Sequence, residues 1–277
     1  MKLGTNDIGS VYLGTNAVSS VYLGSNLVWS GMDADYQAIL DYATTQGYTL
    51  PSASQQLLQE QLLIDLKDAG IWSKLDTFAV FATDGDSDFA LIDWKRLSDY
   101  TAVNSPTFTS NQGFQGDGSS AYIDSNFNPF TNGTNYTLNS ASIGGYMRIY
   151  DSAPAGSEGL IYLADGSSRS WMRYTTKRLY FNDINFSLYS TIIAGNNKFS
   201  SFVRTSSSNV GIYVDGSLSE NVSNTSVSVP NNTFLTLKGD GSIYGDSQMS
   251  MIYVGGDLSS EQNDFYTAFY TNYLSSL

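Results

Sequence analysis

The segment Val210-Gly211-Ile212-Tyr213-Val214-Asp215-Gly216 decides the class of fold. Its first five residues are mostly β-formers, and they lead directly into Asp-Gly, a dipeptide favoured in the two-residue loop of a β-hairpin. The segment therefore predicts a strand, a tight turn and a returning antiparallel strand.

Short runs of β-formers separated by Gly, Asn, Asp and Ser extend over residues 76–257. So many short strands favour an antiparallel β-sandwich or jelly roll over an α/β fold. Strands are predicted at Phe78–Thr83, Phe89–Trp94, Thr107–Thr109, Ala121–Asp124, Ala141–Tyr150, Gly159–Ala164, Ser170–Thr175, Arg178–Phe181, Phe199–Thr205, Val210–Val214, Phe234–Lys238 and Met249–Val254.

Residues 3–29 contain three copies of a ten-residue unit. Each unit joins a β-forming run to a Gly-Thr-Asn or Gly-Ser-Asn turn, and so predicts a strand plus a turn. A repeat this small needs a neighbouring surface to be stable. That surface is either this chain's own body or, if the segment serves attachment or oligomerisation, another chain. In the second case the contact residues are Val11, Tyr12, Leu13, Val21, Tyr22, Leu23 and Trp29.

Helical patterns flank the predicted strands. One helix is expected to begin near Asp33 or Asp35, the two possible N-caps, and to run to Gly47. A second begins with a capping box of Ser52 and Gln55 and ends at Gly70. A third begins with a capping box of Ser259 and Gln262, and Phe and Tyr recur in it at helical spacing.

The chain is predicted to have three parts. Residues 1–30 form the β-repeat for attachment or oligomerisation, 31–75 form a helical connector, and 76–277 form the sandwich with its C-terminal helix.

Composition excludes several classes of function. The 277 residues include 13 Lys and Arg against 26 Asp and Glu, and the net charge of −13 disfavours nucleic acid and anionic membranes as partners. No run of apolar residues is long enough for a membrane span or the core of a secretory signal. The chain has no Cys and no His, so thiolate and Ser-His-Asp chemistry within it are excluded.

Two constellations are candidate binding sites. Asp84, Asp86 and Asp88 resemble the start of a calcium loop, although Phe89 stands where an EF-hand needs glycine, and a solvated turn is the alternative. Aromatic and polar residues suited to sugar lie in or near one loop, and the alternative is that the aromatic residues point into the core. They are Asp165, Arg169, Trp171 and Tyr174.

Segments over nearly the whole chain carry a resemblance to a known group of proteins. They are the repeats ending at Val28-Trp29, then Leu66–Trp72, Phe89–Lys95, Asn104–Phe108, Gly116–Asp124, Phe202–Thr205, Ile212–Gly216 and Tyr253–Ser259. In these segments the chain resembles structural proteins of tailed bacteriophages that carry a concanavalin A-like, or laminin-G-like, jelly-roll domain.

The resemblance implies a virion component, such as a head or tail fibre, spike or decoration protein, made in the cytoplasm of a bacterial host. By analogy it implies a homo-oligomer, specifically a trimer, with residues 1–30 joined to other virion proteins and a host-surface glycan as a further partner. On this hypothesis the chain is not an enzyme and needs no cofactor, with calcium as an open option. A glycan-binding lectin or adhesin is the alternative. A polysaccharide hydrolase is the third hypothesis, and only four Glu are available for it.

Overall fold

The computed structural model describes the backbone of residues 2–3, 6–7, 11–13, 16–18, 20–23, 26–150, 161–173 and 177–277, and the side chains of 31–150, 161–172 and 177–277. The strands are β1 (Lys2–Leu3), β2 (Asn6–Asp7), β3 (Val11–Leu13), β4 (Asn16–Val18), β5 (Ser20–Leu23), β6 (Asn26–Ser30), β7 (Leu75–Val80), β8 (Ile92–Asp93), β9 (Ser98–Asp99), β10 (Thr101–Val103), β11 (Thr107–Thr109), β12 (Gly113–Gln115), β13 (Tyr122–Asp124), β14 (Ala141–Ile149), β15 (Tyr162–Ala164), β16 (Arg169–Arg173), β17 (Arg178–Asp183), β18 (Ser187–Leu188), β19 (Lys198–Arg204), β20 (Asn209–Val214), β21 (Ser217–Ser223), β22 (Leu235–Thr236) and β23 (Gln248–Gly255). The α-helices are α1 (Ala34–Gln46), α2 (Ala53–Asp68), α3 (Ser87–Ala90), α4 (Pro129–Asn132) and α5 (Gln262–Tyr266), which continues as a π-helical stretch over Thr267–Tyr273. Two 3₁₀ turns cover Trp72–Lys74 and Leu274–Ser276.

Two large antiparallel sheets form a β-sandwich. The seven-stranded sheet has the order β10-β13-β22-β15-β16-β17-β18, and the eight-stranded sheet has the order β11-β12-β23-β14-β19-β20-β21 with β7 also paired to β23. The predicted fold class, a mainly β antiparallel sandwich with a C-terminal helix, is confirmed.

The main core lies between the two sheets. Leu163, Met172 and Leu179 of the seven-stranded sheet and Phe202 and Ile212 of the eight-stranded sheet are completely buried in it. Since successive side chains of a strand point to opposite faces, the residues next to them face outward.

Helices cover the outer face of the eight-stranded sheet. Leu62 and Leu66 of α2 and Phe265 of α5 share a second buried cluster with Phe78 of β7 and Tyr253 of β23. The rings of Tyr253 and Phe265 lie only 4.6 Å apart. The central strands β23, β14 and β19 therefore have a covered outer face.

The local signals for helix ends are confirmed at the first two helices. The Asp33 carboxylate accepts hydrogen bonds from the N–H groups of the first turn of α1, and Gly47 ends that helix with a φ of +81°. Ser52 caps α2 through Gln55 N–H, but the predicted capping box does not close, because Ser52 N–H donates to Asp84 Oδ1 instead of the Gln55 side chain. The cap predicted at Ser259 is wrong, because Ser259 donates its N–H to the Asp257 carboxylate and α5 begins at Gln262 without a side-chain cap.

One predicted strand is interrupted by a short helix, which an N-cap side chain begins. The strand predicted over Phe89–Trp94 is wrong at its start, because Asp86 Oδ1 accepts the Phe89 N–H at 2.8 Å and begins α3. The hairpin at Asp215-Gly216 is confirmed: both residues have positive φ, at 48° and 79°, as a type I′ turn requires.

The N-terminal strands form three separate hairpins: β1 with β2, β3 with β4, and β5 with β6. Among the described residues, each of these strands pairs only with the other strand of its hairpin. The division into three parts stays a prediction. No helix in the described part of the chain combines the length and apolar character needed to cross a membrane.

Candidate functional site

The outer face of the seven-stranded sheet is the candidate site. Its strands send Leu163, Met172 and Leu179 into the main core, so their neighbours Tyr162, Trp171 and Tyr180 lie on the outer face, where they form a separate cluster.

The outward aromatic side chains form one row across the strands. Tyr162 is the cross-strand partner of Trp171, and Trp171 is the partner of Tyr180. The ring centroids are 5.1 Å apart for Tyr162 and Trp171, 5.8 Å for Trp171 and Tyr180, and 5.8 Å for Tyr180 and Phe186. These separations are typical of favourable aromatic pairs, so the row is a stable unit.

A loop following β22 covers one end of this row. Asp240 accepts a hydrogen bond from the Tyr162 hydroxyl at 3.0 Å. It also forms an ion pair with Arg169, whose Nη1 is 3.3 Å from Asp240 Oδ2. Gly239 lies so close to the indole that a Cβ on it would be 2.8 Å from Trp171 Cζ2. Only glycine therefore lets the backbone approach at this point.

The other end of the row is open to solvent. The solvent-exposed fraction of the residue rises from 1% at Trp171 to 6% at Tyr180 and 43% at Phe186. Ile184 and Leu188, two residues to either side of Phe186, are also exposed. The edge of the sheet therefore presents an apolar strip centred on an aromatic ring.

Guanidinium groups lie against two rings of the row, and that of Arg178 is at the open end. Arg178 Cζ is 4.3 Å from the centre of the Phe186 ring, and Arg169 Cζ is 5.5 Å from that of Tyr180. Both distances allow a cation–π interaction. The open end thus combines an exposed ring with hydrogen-bond donors that carry positive charge.

Glu220 of β21 fixes the loop that follows β18. Its Oε2 accepts four hydrogen bonds of 2.8–2.9 Å, from the N–H and hydroxyl groups of Ser190 and Thr191. Partial burial opposes ionisation of this carboxyl, but the hydrogen bonds outweigh it and lower the pKa of Glu220 to about 2.

We expect Glu220→Gln to lower the thermal unfolding temperature at pH 7 and the difference from wild type to disappear in acid. A carboxyl whose pKa is lower in the folded state stabilises the protein above its unfolded pKa, here 4.5, and loses that contribution as the pH falls toward about 2. Thermal melts at pH 7, 4 and 2 measure the effect. Asp68→Asn, at an exposed carboxylate on α2, is the control and should track wild type throughout. A constant gap between Glu220→Gln and wild type at all three pH values would contradict the assignment.

The structure separates the four residues predicted to bind sugar. Trp171 is buried beneath the loop after β22, so its ring offers no face to solvent. The Asp165 carboxylate accepts hydrogen bonds from the N–H groups of Ser167, Ser168 and Asn231. Its pKa falls to about 2 because these hydrogen bonds outweigh the desolvation of the carboxylate. Arg169 lies at the aromatic row.

Tyr174 falls outside the described residues, and the sugar-binding role of this set stays a prediction. Sequence reasoning missed Phe186 and Arg178. The signal that could have found Phe186 is the alternation of Ile184, Phe186 and Leu188, three large apolar residues spaced by two in a polar segment.

Two of the three calcium candidates bind backbone N–H groups, and the third, Asp88, is exposed in α3. Asp84 accepts the N–H of Ser52, and Asp86 accepts those of Thr49 and Phe89. Within the part of the chain whose side chains are described, no group of three or more acidic residues is arranged to hold a metal ion.

The predicted attachment residues lie in three of the N-terminal strands. Their role there stays a prediction. Val11, Tyr12 and Leu13 form β3, Val21, Tyr22 and Leu23 belong to β5, and Trp29 belongs to β6.

The sandwich is similar to solved structures of glycan-related proteins. A sialidase of Trypanosoma rangeli in complex with sialic acid aligns over 76% of this chain and only 38% of its own, with 15% identity and a TM-score of 0.48. Domain 4 of AbnA, a GH43 extracellular arabinanase from Geobacillus stearothermophilus, in complex with arabinotriose, aligns over 70% of this chain and 98% of its own, with 14% identity and a TM-score of 0.46. No family model and no curated protein matches the chain. The similarity concerns the fold alone.

These comparisons correct one prediction. The expectation that the chain is not an enzyme is contradicted, because the similar structures come from a sialidase and an arabinanase. The β-sandwich part of the resemblance is confirmed, whereas the link to bacteriophages stays a prediction.

Proposed function

We propose that the chain is a carbohydrate-binding β-sandwich whose site is the open end of the aromatic row. The observation that supports this most is the exposed Phe186 ring, backed by Tyr180 and Trp171 and flanked by Arg178. An aromatic surface packs against the C–H face of a sugar ring, and neighbouring donors bind its hydroxyl groups. In the other sheet, helices cover the outer face of β7, β23, β14 and β19.

A glycan array probed with the full chain tests the proposal. Phe186→Ala should weaken binding about tenfold or more through loss of the ring. Phe130→Ala is the matched control, because Phe130 is 61% exposed but lies in α4, away from the aromatic row. Equal weakening by both variants, or no binding to any glycan, would contradict the proposed site. Release of reducing sugar from the bound glycan, measured in the same samples, tests for a hydrolase.

A second proposal concerns residues 1–30: they join copies of the chain in a virion fibre, spike or decoration. It is supported by the three hairpins, whose strands pair only internally among the described residues. An isolated two-stranded hairpin is marginally stable in water, so further strands or another surface are needed.

Light scattering on the full chain tests the second proposal. Wild type should have three times the 30.2 kDa mass of one chain. A chain with Tyr12→Asp and Tyr22→Asp should have the mass of one. A monomeric wild type, or a double variant that remains trimeric, would contradict it.

A further inference from the structure

The loop after β22 is a small hairpin of its own. Its residues 237–245, which we call the strap, are held by hydrogen bonds from Gly239 N–H to the Ile243 carbonyl at 2.9 Å and from Gly245 N–H to the Leu237 carbonyl at 2.8 Å. An isolated two-stranded hairpin is marginally stable in water. The strap therefore keeps its place through its contacts with the aromatic row beneath it.

A polar group anchors the tip of the strap. The Asp240 carboxylate contacts the Tyr162 hydroxyl and Arg169, and the side chains of the ion pair are 28% exposed for Arg169 and 46% exposed for Asp240. An ion pair this open to water contributes little to stability. At the next residue, Gly241, an added Cβ would meet no atom within 4 Å, so this side of the tip is open. A ligand that brings its own oxygen atoms can take the place of Asp240.

The base of the strap is strained. Leu237 has a φ of +64° although it is 1% exposed and packed in the main core. The left-handed region is a rare conformation for a bulky residue, and residues held in such conformations cluster at ligand-binding and switching segments. This strain makes the closed position of the strap less stable than its contacts alone would make it.

The surface beneath the strap has the chemistry of a sugar platform. Trp171 and Tyr180 are stacked, with an angle of 23° between their ring planes. Beside them, Arg169 Nε is buried and has no hydrogen-bond acceptor among the described residues. A buried donor without an acceptor is unfavourable, and an oxygen atom of a ligand would satisfy it. The covered part of the row thus combines aromatic surface with an unused donor.

We infer that the strap is a lid over a second sugar subsite, and that an oligosaccharide opens it by displacing Asp240 from Tyr162 and Arg169. Hydroxyl oxygens of the sugar then accept hydrogen bonds from these two side chains, while its C–H face packs on Trp171. The inference rests on the proposed carbohydrate-binding function and extends that site inward from Phe186.

The spacing of the row sets the length of the ligand. The ring centroids are 5.8 Å apart from Trp171 to Tyr180 and again from Tyr180 to Phe186. Each step is comparable to the length of one linked sugar unit. A chain of three or more units therefore reaches from Phe186 to the indole, whereas a disaccharide stays at the open end.

Isothermal titration of the full chain with cello-, malto-, chito- and galacto-oligosaccharides, each of two and of six units, tests the subsite. In a series that binds, Asp240→Ala should raise the affinity for the six-unit sugar about fivefold, because the lid is open in more of the molecules. It should change the affinity for the two-unit sugar less than about twofold. Asp35→Ala is the matched control, because it breaks an ion pair of similar exposure with Lys67, in α1 away from the aromatic row, and should change neither affinity.

Fluorine NMR of the unliganded chain tests the lid without any sugar. The chain is labelled with fluorotryptophan, and the Trp171 resonance is the one lost in Trp171→Phe. The solvent isotope shift of this resonance, measured between H₂O and D₂O, should be small in wild type and in Asp35→Ala and larger in Asp240→Ala. Gly239→Ala should also enlarge it, because the added Cβ would lie 2.8 Å from Trp171 Cζ2 and push the strap away. Thermal melts check that each variant is folded.

The outcomes separate the lid from the carbohydrate site. If Asp240→Ala and Gly239→Ala left the Trp171 resonance unchanged, the strap would be a fixed cover and the inference would be wrong, while a site at Phe186 would stand. An unchanged or lower affinity of Asp240→Ala for the six-unit sugar would overturn the subsite in the same way. Absence of binding to every oligosaccharide here and to every sugar on the array would overturn both the carbohydrate site and the subsite.

Discussion

Trp171→Ala is expected to lower the free energy of unfolding by about 3 to 5 kcal/mol, the usual range for losing a large aromatic side chain from a core. The indole is 1% exposed and packs between Tyr162 and Tyr180 beneath Gly239. Two strands and a loop fixed by Asp240 form the walls of the resulting cavity, so it cannot collapse fully. Urea unfolding followed by circular dichroism measures the loss.

Two variants make the Trp171 prediction specific. Trp171→Phe keeps an aromatic ring in the row and should lose less stability than Trp171→Ala. Phe130→Ala removes an exposed ring and should stay within about 0.5 kcal/mol of wild type. If Trp171→Ala lost under about 1 kcal/mol yet abolished glycan binding, Trp171 would be the sugar platform and the assignment to Phe186 would be wrong.

The aromatic row shows what local sequence can and cannot predict. The strand containing Trp171 is predictable from its β-formers, and the alternation of side chains limits the indole to two faces. Its burial on the outer face depends on Gly239 and Asp240, which are remote in sequence. The residues around Trp171 in the sequence do not reveal this burial. For that reason the sequence analysis selected Trp171, which supports the row, and missed the exposed Phe186.

Elements governed by short-range chemistry were predictable. Helix α1 begins after Asp33 because its carboxylate accepts hydrogen bonds from first-turn N–H groups. It ends at Gly47 because glycine tolerates positive φ. Asp215-Gly216 forms its hairpin for a similar conformational reason. Such signals fix where elements begin and end, whereas they do not decide which sheet face remains open.

The polar anchors of the site depend on long-range pairing and escaped prediction. Glu220 binds a loop 30 residues before it, and Asp165 binds Asn231, 66 residues after it. In sequence, Asp165 looks like a free carboxylate in a polar loop beside aromatics, which is why it was a sugar-binding candidate. In the fold, backbone N–H groups occupy its oxygens, as in other loops held by aspartate.

Arg204 links the two sheets behind the candidate site. This completely buried residue ends β19, and its guanidinium donates to the carbonyl oxygens of Phe181, Ser206 and Asn224 and to the Asn224 side chain. Burial lowers the pKa of Arg204 to about 10, so the group stays charged at neutral pH. The Asn224 amide in turn donates to Ser187 Oγ of β18 at 3.3 Å. Arg204 therefore holds the network that positions the strand beside Phe186.

Arg204→Met is expected to lower the free energy of unfolding by about 3 to 4 kcal/mol, because three buried acceptors and one partly buried acceptor lose a charged donor while the apolar stem is kept. Urea unfolding measures the loss, and Arg148→Met in β14 is the matched control, expected to cost well under half as much. Hydrogen exchange at Ser187 and Leu188 should rise in Arg204→Met alone, since the Asn224 contact to β18 loosens. The prediction would be contradicted if amide hydrogen exchange at β18 were unchanged and Arg204→Met lowered the free energy of unfolding by less than about 1 kcal/mol. Asn224 would then hold β18 without Arg204, and Glu220 and the strand register would position the open end of the aromatic row.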